Sequence, residues 1–253
     1  MITKLYNGEV ELEFIPEKHV YTYNGKKVDG TTGILGVINK PALMYWAVNQ
    51  AVAFFINAIK PGISYDEIQL KAMAEGMKAS PRKKSGDAAD IGKLVHEWIE
   101  SYIKGEKPTT PINEQMKNAI DSFLKWEKES GVKFVHSEKV VFSRKYNYAG
   151  TLDFIGEIDG KLLLGDFKTS KGIWDEYWLQ TSAYQQAYLE EFPESEILGQ
   201  VIVRIGKDGV LEVRNSEVED YEPNRDAFNA ALTLSRRLQY YKDKAYQAKK
   251  VTI

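Results

Sequence analysis

The sequence predicts an α/β fold: a central mixed β-sheet flanked by helices, with a small N-terminal β-meander and a helical elaboration before the main sheet. Three observations predict it. Segments with strand period and segments with helix period alternate along the 253 residues, the order from about residue 87 being helix, helix, strand, hairpin, helix, strand, strand, helix. Two dipeptides, Asn24-Gly25 and Asp159-Gly160, stand between alternating runs and have the chemistry of two-residue hairpin turns. The segment between Lys168 and Leu198 is long enough to carry a crossover helix joining parallel strands.

Taken in order, Glu9 to Ile15 and Val20 to Tyr23 read as strands, with a short return through Lys26 to Val28. Thr31 or Thr32 caps a short helix through Ile38, and Pro41 suits the first turn of a helix that runs to about Ile59 and stops at Pro61-Gly62. Ser64 to Glu67 has the form of a capping box opening a helix to about Lys78. The polar, basic stretch Ser80 to Asp87 reads as a mobile junction, which sets an expected division into an N-terminal region, 1–85, and a main region, 86–253. The first region is a possible DNA-binding or lid element. Beyond the junction, Asp87 or Asp90 caps a helix to about Lys104 with the apolar stripe Ile91, Val95, Trp98, Ile99 and Tyr102. A helix from about Asn113 to Glu129 follows, then strands over Lys133 to Ser143 and either side of Asp159-Gly160. A helix from about Asp175 to Glu191 precedes strands at Leu198 to Ile205 and Val210 to Arg214. The tail from Pro223 to Lys249 is one helix with basic last turns, as the helix dipole favours.

Composition narrows the function classes. At 43% hydrophobic the chain buries an ordinary core, and no apolar run reaches the ~18 residues a bilayer span needs. The start, MITKLYNGEVELEF, lacks a signal-peptide layout, and a cytoplasmic location is expected. With no cysteine there is no thiolate zinc site and no iron–sulfur cluster. The net charge of -2 means that any nucleic-acid contact comes from local patches rather than the overall field. Lys78 with Arg82, Lys83 and Lys84 forms one such patch; Lys171 with Trp174 forms another.

The stretch GTLDFIGEIDGKLLLGDFK, Gly150 to Lys168, is the most informative. With Asp159-Gly160 at the turn, Ile158 faces Lys161, Ile155 faces Leu164 and Asp153 faces Asp166, with Cβ atoms roughly 5 Å apart. Two like charges so close are destabilising, and a divalent cation between them turns the cost into a binding site. Strand alternation puts Lys168 on the same face and Phe167 on the other. A solvated hairpin neutralised by the lysine fits the charges. It does not fit Ile155, Leu162 and Leu164, which share the face and imply burial, where unpaired carboxylates are costly.

Other residues bear on this centre with alternatives open. Gly92, His96 and Glu100 recur at helical spacing beside the apolar stripe, so His96 reads either as a structural or solvated histidine or as a ligand. Glu138 reads as an exposed strand glutamate, a further ligand or a water-orienting group, with Lys139 on the opposite side. Gln180, Tyr184 and Tyr188 form a stripe that is either a core boundary or an amide and phenol orienting Lys168 or gripping a phosphate. Tyr45, Trp46, Phe54, Trp174, Tyr177 and Trp178 are divided between core packing and base stacking.

In order, GxxxHxxxE at Gly92, His96 and Glu100, the strand Glu138, GTLD at Gly150 to Asp153, DFKTS at Asp166 to Ser170 and QxxxY at Gln180 to Tyr184 resemble the PD-(D/E)XK nuclease superfamily, in its RecB-like and Cas4-like exonuclease branch. The resemblance covers about Asp87 to Ile205, and the first 85 residues look like the amino-terminal part of phage-type members. It implies a restriction-endonuclease-like core. It also implies that His96, Asp153, Asp166 and the carbonyl of Phe167 hold one or two Mg²⁺ or Mn²⁺ ions, and that Lys168 positions or activates water. Gln180 and Tyr184 would be an accessory motif. Hard oxygen donors with one imidazole suit those ions, and a lysine near such a metal is expected to have a depressed pKa. Cas4 proper carries cluster-binding cysteines and this chain has none.

The expected activity is therefore that of a metal-dependent deoxyribonuclease, foremost an exonuclease on single-stranded or frayed DNA ends in phage-type recombination, repair or degradation, with phage recombination or replication proteins as possible partners. A flap-type endonuclease and a catalytically silent DNA-binding or scaffold subunit are the alternatives. The intact Asp153, Asp166 and Lys168 speak against the silent subunit.

Overall fold

A nine-stranded mixed sheet dominates the computed structural model, which describes residues 1–251, with side chains through Gln247. The chain forms two compact units, residues 1–38 with 96–253, and residues 39–95.

In the larger unit the chain opens with a four-stranded antiparallel meander, β1 (Ile2–Leu5), β2 (Val10–Ile15), β3 (Val20–Tyr23) and β4 (Lys26–Gly30). The Asn24-Gly25 turn has positive φ at both residues, 51° and 70°, as a type I′ hairpin requires. The expected meander is present and has one more strand, β1, whose four residues are too few to show a period. The main strands are β5 (Lys133–Ser143), β6 (Tyr148–Ile158), β7 (Lys161–Lys168), β8 (Gln200–Ile205) and β9 (Leu211–Asn215). Asp159 and Gly160 again both have positive φ, and β6 and β7 pair in the expected register, Ile158 with Lys161 and Ile155 with Leu164.

β4 runs parallel to β6, Asp29 opposite Tyr148 and Gly30 opposite Ala149, so the meander and main strands form one sheet. β5 takes one edge of β6 along most of its length. β4 and β7 therefore share the other edge, at residues 148–149 and 154–158, and between them β6 is unpaired on that side. This notch positions the site described below.

The parallel pair β7 and β8 is bridged by the expected crossover helix, α5 (Glu176–Glu191), which packs on β5 to β8. α5, the short α1 (Thr31–Leu35) and α6 (Tyr221–Val251) bury Ile34, Leu35, Ala183, Ala187, Phe228 and Leu232 with Ile155 and Leu164 of the sheet. Phe154 and Phe167, pointing the other way, join Phe123 and Trp126 of α4 (Glu114–Ser130) in an aromatic cluster. Asn113 caps α4 by accepting the Met116 N–H at 2.9 Å. Lys249, among the basic residues expected near the end of α6, has its side chain outside the described residues.

The smaller unit holds α2 (Pro41–Ala58) and the first part of α3 (Glu67–Ile103). Phe54 lies against Gly76, where a Cβ would come within 2.3 Å of its ring. Two local expectations are corrected here. The capping box is one step later than Ser64 to Glu67: Asp66 accepts the Gln69 N–H at 2.8 Å, and the Gln69 side chain accepts the Asp66 N–H at 3.0 Å. The stretch Ser80 to Asp87 is helical, so α3 runs unbroken for 37 residues across the expected boundary at 85 and 86. Pro81 is accommodated because the Met77 carbonyl, which it cannot pair, has the Ser80 hydroxyl within 3.2 Å.

Candidate active site

Strand geometry creates the site. At β5 the register slips by one residue between Phe134 and His136, and Glu138 adopts a left-handed φ of 47°. A non-glycine residue in that conformation carries strain, and bulges of this kind re-aim side chains. Glu138 falls opposite Asp153, between the pairs Ser137–Phe154 and Lys139–Leu152. On the other side of β6 the β7 ladder ends at Phe154 and Gly165, one step before Asp153 and Asp166. The expected facing of those aspartates holds in register, but the strands splay there, and Phe167 donates its N–H to Asp153 Oδ2 at 2.6 Å. Glu138, Asp153 and Asp166 thus form a row across three strands.

His96, on the part of α3 in the larger unit, closes over the row. Its Nδ1 lies 3.6 Å from Asp153 Oδ1 and 3.7 Å from Glu138 Oε1. His96, Glu138 and Asp153 each offer a ligand atom within 4.8 Å of the others. Asp166 is 2% exposed, and its Oδ2, though 2.6 Å from Lys168 Nζ, receives no hydrogen bond, so the contact is ionic and off the line a hydrogen bond needs.

Charge states follow from burial and neighbours. Burial opposes the His96 imidazolium, but the Asp153 and Glu138 carboxylates outweigh it and hold its pKa up at about 10. Burial pushes Glu138 up to about 7, against the pull of His96. Burial, with the Asp153 charge behind it, raises Asp166 to about 6 despite Lys168. Asp153 goes the other way: His96, Lys168 and the Phe167 N–H overcome its burial and lower its pKa. Lys168 is raised, because Asp166 and Asp153 overcome the burial that disfavours its charge.

The lysine is held on several sides. Its Nζ donates to Gln180 Oε1 at 3.0 Å, and Gln180 Nε2 donates to the Tyr184 hydroxyl at 2.8 Å and lies 3.4 Å from Thr32 Oγ1. Gly150 is where the Tyr184 ring needs room, since a Cβ there would lie 2.4 Å from it and 2.9 Å from Thr31 Oγ1. Thr31 in turn donates to the Ala149 carbonyl at 3.0 Å, and the Tyr21 hydroxyl lies 2.9 Å from Thr151 Oγ1.

No protein-family model matches the chain, and no curated protein matches it. Among solved structures, a candidate exonuclease of Eubacterium rectale is similar at 13% identity, over 59% of this chain and 68% of its own, with a TM-score of 0.41. The alkaline exonuclease of Laribacter hongkongensis is similar at 12% identity, over 83% of this chain and 100% of its own, with a TM-score of 0.32. The same enzyme in complex with dAMP is similar at 15% identity, over 64% of this chain and 91% of its own, with a TM-score of 0.31. The functional reading is carried by the geometry of the site itself.

That geometry brings His96, Glu138, Asp153, Asp166, Lys168, Gln180 and Tyr184 together. Phe167 meets the site through its N–H, while its ring lies in the aromatic cluster. Tyr188 packs against His136 and Phe192, as the core-boundary reading of the stripe has it. Glu100 pairs with Lys104. Tyr177, grouped by sequence with the aromatic flank, has its ring under the lysine, the Lys168 Nζ lying 4.6 Å from its centroid. Sequence reasoning missed Tyr21, Thr31 and Thr32 as neighbours of the centre. Their only local signal is a polar Thr31-Thr32 pair after an extended run, and the parallel pairing that brings them to β6 is not written locally.

The donor set fits a hard divalent cation: one imidazole nitrogen, carboxylate oxygens, and a buried Asp166 oxygen with no hydrogen-bond donor.

Proposed function

We propose that this chain is a metal-dependent deoxyribonuclease of the PD-(D/E)XK type, in the RecB-like and Cas4-like branch. The observation that carries the reading is the row Glu138–Asp153–Asp166 with His96 above it and Lys168 at its end. Three carboxylates gathered around one imidazole and one ammonium leave acidic groups in excess, Asp166 Oδ2 meets only the Lys168 ammonium, and a strand residue in the left-handed conformation, Glu138, lies in the row.

His96, Asp153 and Asp166, with Glu138 and the Phe167 carbonyl as further donors, would hold one or two Mg²⁺ or Mn²⁺ ions. Bound there, the ion would polarise a scissile phosphate and acidify a water. The chain's own groups do the rest. Lys168, fixed by Gln180 and backed by Tyr184, lies where its ammonium can orient the attacking water and offset charge on a non-bridging phosphate oxygen. Where Glu138 is not itself a ligand, it is placed to orient that water and to accept the proton it gives up as it attacks phosphorus and the phosphodiester oxygen departs. Asp153, held ionised, anchors the imidazole and the splayed β7 strand.

The substrate is proposed to be DNA with single-stranded or frayed ends, cut from an end by a cytoplasmic enzyme of phage-type recombination, repair or degradation. A depression of the smaller unit, lined by Arg82, Lys83 and a Lys78 that pairs with Glu75, would follow a phosphate backbone. Among the described residues, no helix is long and apolar enough to cross a membrane.

The test is digestion of end-labelled single strands, linear duplexes and covalently closed single-stranded circles with Mg²⁺ or Mn²⁺. Linear strands should shorten and circles persist; efficient cutting of circles would refute exonuclease action. Asp166→Ala should abolish cleavage with the fold intact, and undiminished activity would sink the site.

A further inference from the structure

Besides Asp166 and Gln180, Lys168 meets an aromatic face: its Nζ lies 4.6 Å from the centroid of the Tyr177 ring. The distance is inside the ~6 Å range of a cation–π contact, and a desolvated contact of this kind is worth more than an exposed one. Lys168 has only 17% of its side chain exposed.

Tyr177 is itself held at both ends. Its N–H donates to the Trp174 carbonyl at 3.0 Å, in the first turn of α5. Its hydroxyl donates to Ser170 Oγ at 3.1 Å, and that serine donates to the Gly172 carbonyl at 2.8 Å. The backbone of Ser170 is pinned from the sheet, since Arg204 of β8, 3% exposed, donates Nε–H to the Ser170 carbonyl at 2.8 Å and ion-pairs with Asp208 at 2.7 Å. A chain of contacts therefore runs from a buried arginine through the loop after the lysine to the ring beneath it.

A lysine side chain has four rotatable bonds and loses rotamer freedom when fixed. Asp166 and Gln180 draw the ammonium inward and along the strand. The Tyr177 ring is a third contact on the ammonium, besides Asp166 and Gln180. We propose that Tyr177 is a positioning residue whose ring, clamped by Ser170 and Arg204, holds the Lys168 ammonium at the carboxylate row. This inference rests on the nuclease reading for its kinetic consequence but not for its geometric one.

The test uses the full chain and three variants. Tyr177→Phe keeps the ring and loses only the hydroxyl clamp; Tyr177→Leu removes the π face, and Tyr177→Met does the same with a longer side chain should the leucine variant fail to fold. On a labelled single-stranded oligonucleotide with Mn²⁺, the leucine or methionine variant should lower kcat about tenfold to thirtyfold with KM within about twofold, while the phenylalanine variant stays within about threefold of wild type. Equal kcat values for the aromatic and aliphatic variants would overturn the proposal. Proton NMR gives a readout independent of activity. An ammonium over a ring shifts the Lys168 ε-methylene resonance upfield in wild type and in Tyr177→Phe, and the shift should vanish in the aliphatic variants. An ε-methylene resonance unmoved by Tyr177→Leu or Tyr177→Met would equally overturn it. A wild-type chain that cuts no DNA would refute the nuclease reading, and the NMR comparison would still decide whether the ring holds the lysine.

Discussion

Metal binding at the carboxylate row should release protons, and the number follows from the site. In the metal-free protein His96 has a pKa of about 10 and Glu138 of about 7, so at pH 7 the imidazole is fully protonated and the glutamate half so. Asp153, with its pKa lowered, is already ionised, and Asp166 at about 6 is mostly so. A cation that takes both His96 and Glu138 as donors must displace their protons, about one and a half of them at pH 7. Affinity should therefore fall about twentyfold, or ~1.8 kcal/mol, from pH 8 to pH 7 as His96 and Glu138 compete, and more steeply below pH 7 as Glu138 protonates further. Titration calorimetry of Mn²⁺ into the metal-free chain, repeated in two non-chelating buffers of different ionisation enthalpy, counts those protons. His96→Ala should lower the count by about one and flatten the slope above pH 7. Affinity independent of pH between 6 and 8, or binding without proton release, would refute the placement of His96 and Glu138 around the ion.

Stability without metal should also depend on pH. His96, Glu138 and Asp166 are all raised in the fold, so their stabilising contributions are complete below the unfolded values of 6.5, 4.5 and 3.8 and are lost as pH rises through about 10, 7 and 6. The Tm of the metal-free chain should fall between pH 5 and pH 8 and recover with Mn²⁺; a Tm that rises over that range without metal would contradict the shifts. Gly150→Ala should cost about 1–3 kcal/mol in urea unfolding and slow cleavage, because its Cβ would displace the Tyr184 ring that backs Gln180. Wild-type stability and rate would show that the ring has room. Asp153→Asn should cost the metal-free chain more stability at pH 8 than Asp166→Asn, since only the first carboxylate is favoured in its charged form and accepts the Phe167 N–H. The reverse order in urea would mean that the splay of β7 is held by something else.

What was legible in the sequence was local or paired by a tight turn. Asp159-Gly160 fixed a register that brought Asp153 and Asp166 level, and helical spacing put His96 beside a docking stripe whose Val95 and Ile99 are buried. The crossover helix after Lys168 follows from its length. Legibility failed where distant pairing decides. The left-handed backbone of Glu138 leaves no mark in VHSEKVVF, because a glutamate in that conformation has no compositional signature. The continuity of α3 through SPRKKSGD went the same way. Proline and glycine argued for a break, whereas the Ser80 hydroxyl near the freed carbonyl and the Phe54 contact at Gly76 support a helix.

The notch in the sheet links these observations. A strand that loses its neighbour inside a fold leaves polar groups whose burial costs free energy unless something pairs them. Where β4 ends and β7 splays, the groups that fill the gap are the Thr31 hydroxyl on the Ala149 carbonyl, the Tyr21 hydroxyl on Thr151 and the Asp153 carboxylate on the Phe167 N–H. Two of these three come from the first 38 residues, which belong to the same compact unit as the carboxylate row. Residues so placed cannot be removed as a detachable module, since truncating the meander would uncover β6 beside Asp153, whose ionised form is held by His96, Lys168 and the Phe167 N–H against its burial. The meander is thus one wall of the centre, and the smaller unit of residues 39–95 is inserted between that wall and the helix segment carrying His96 in the order of the chain.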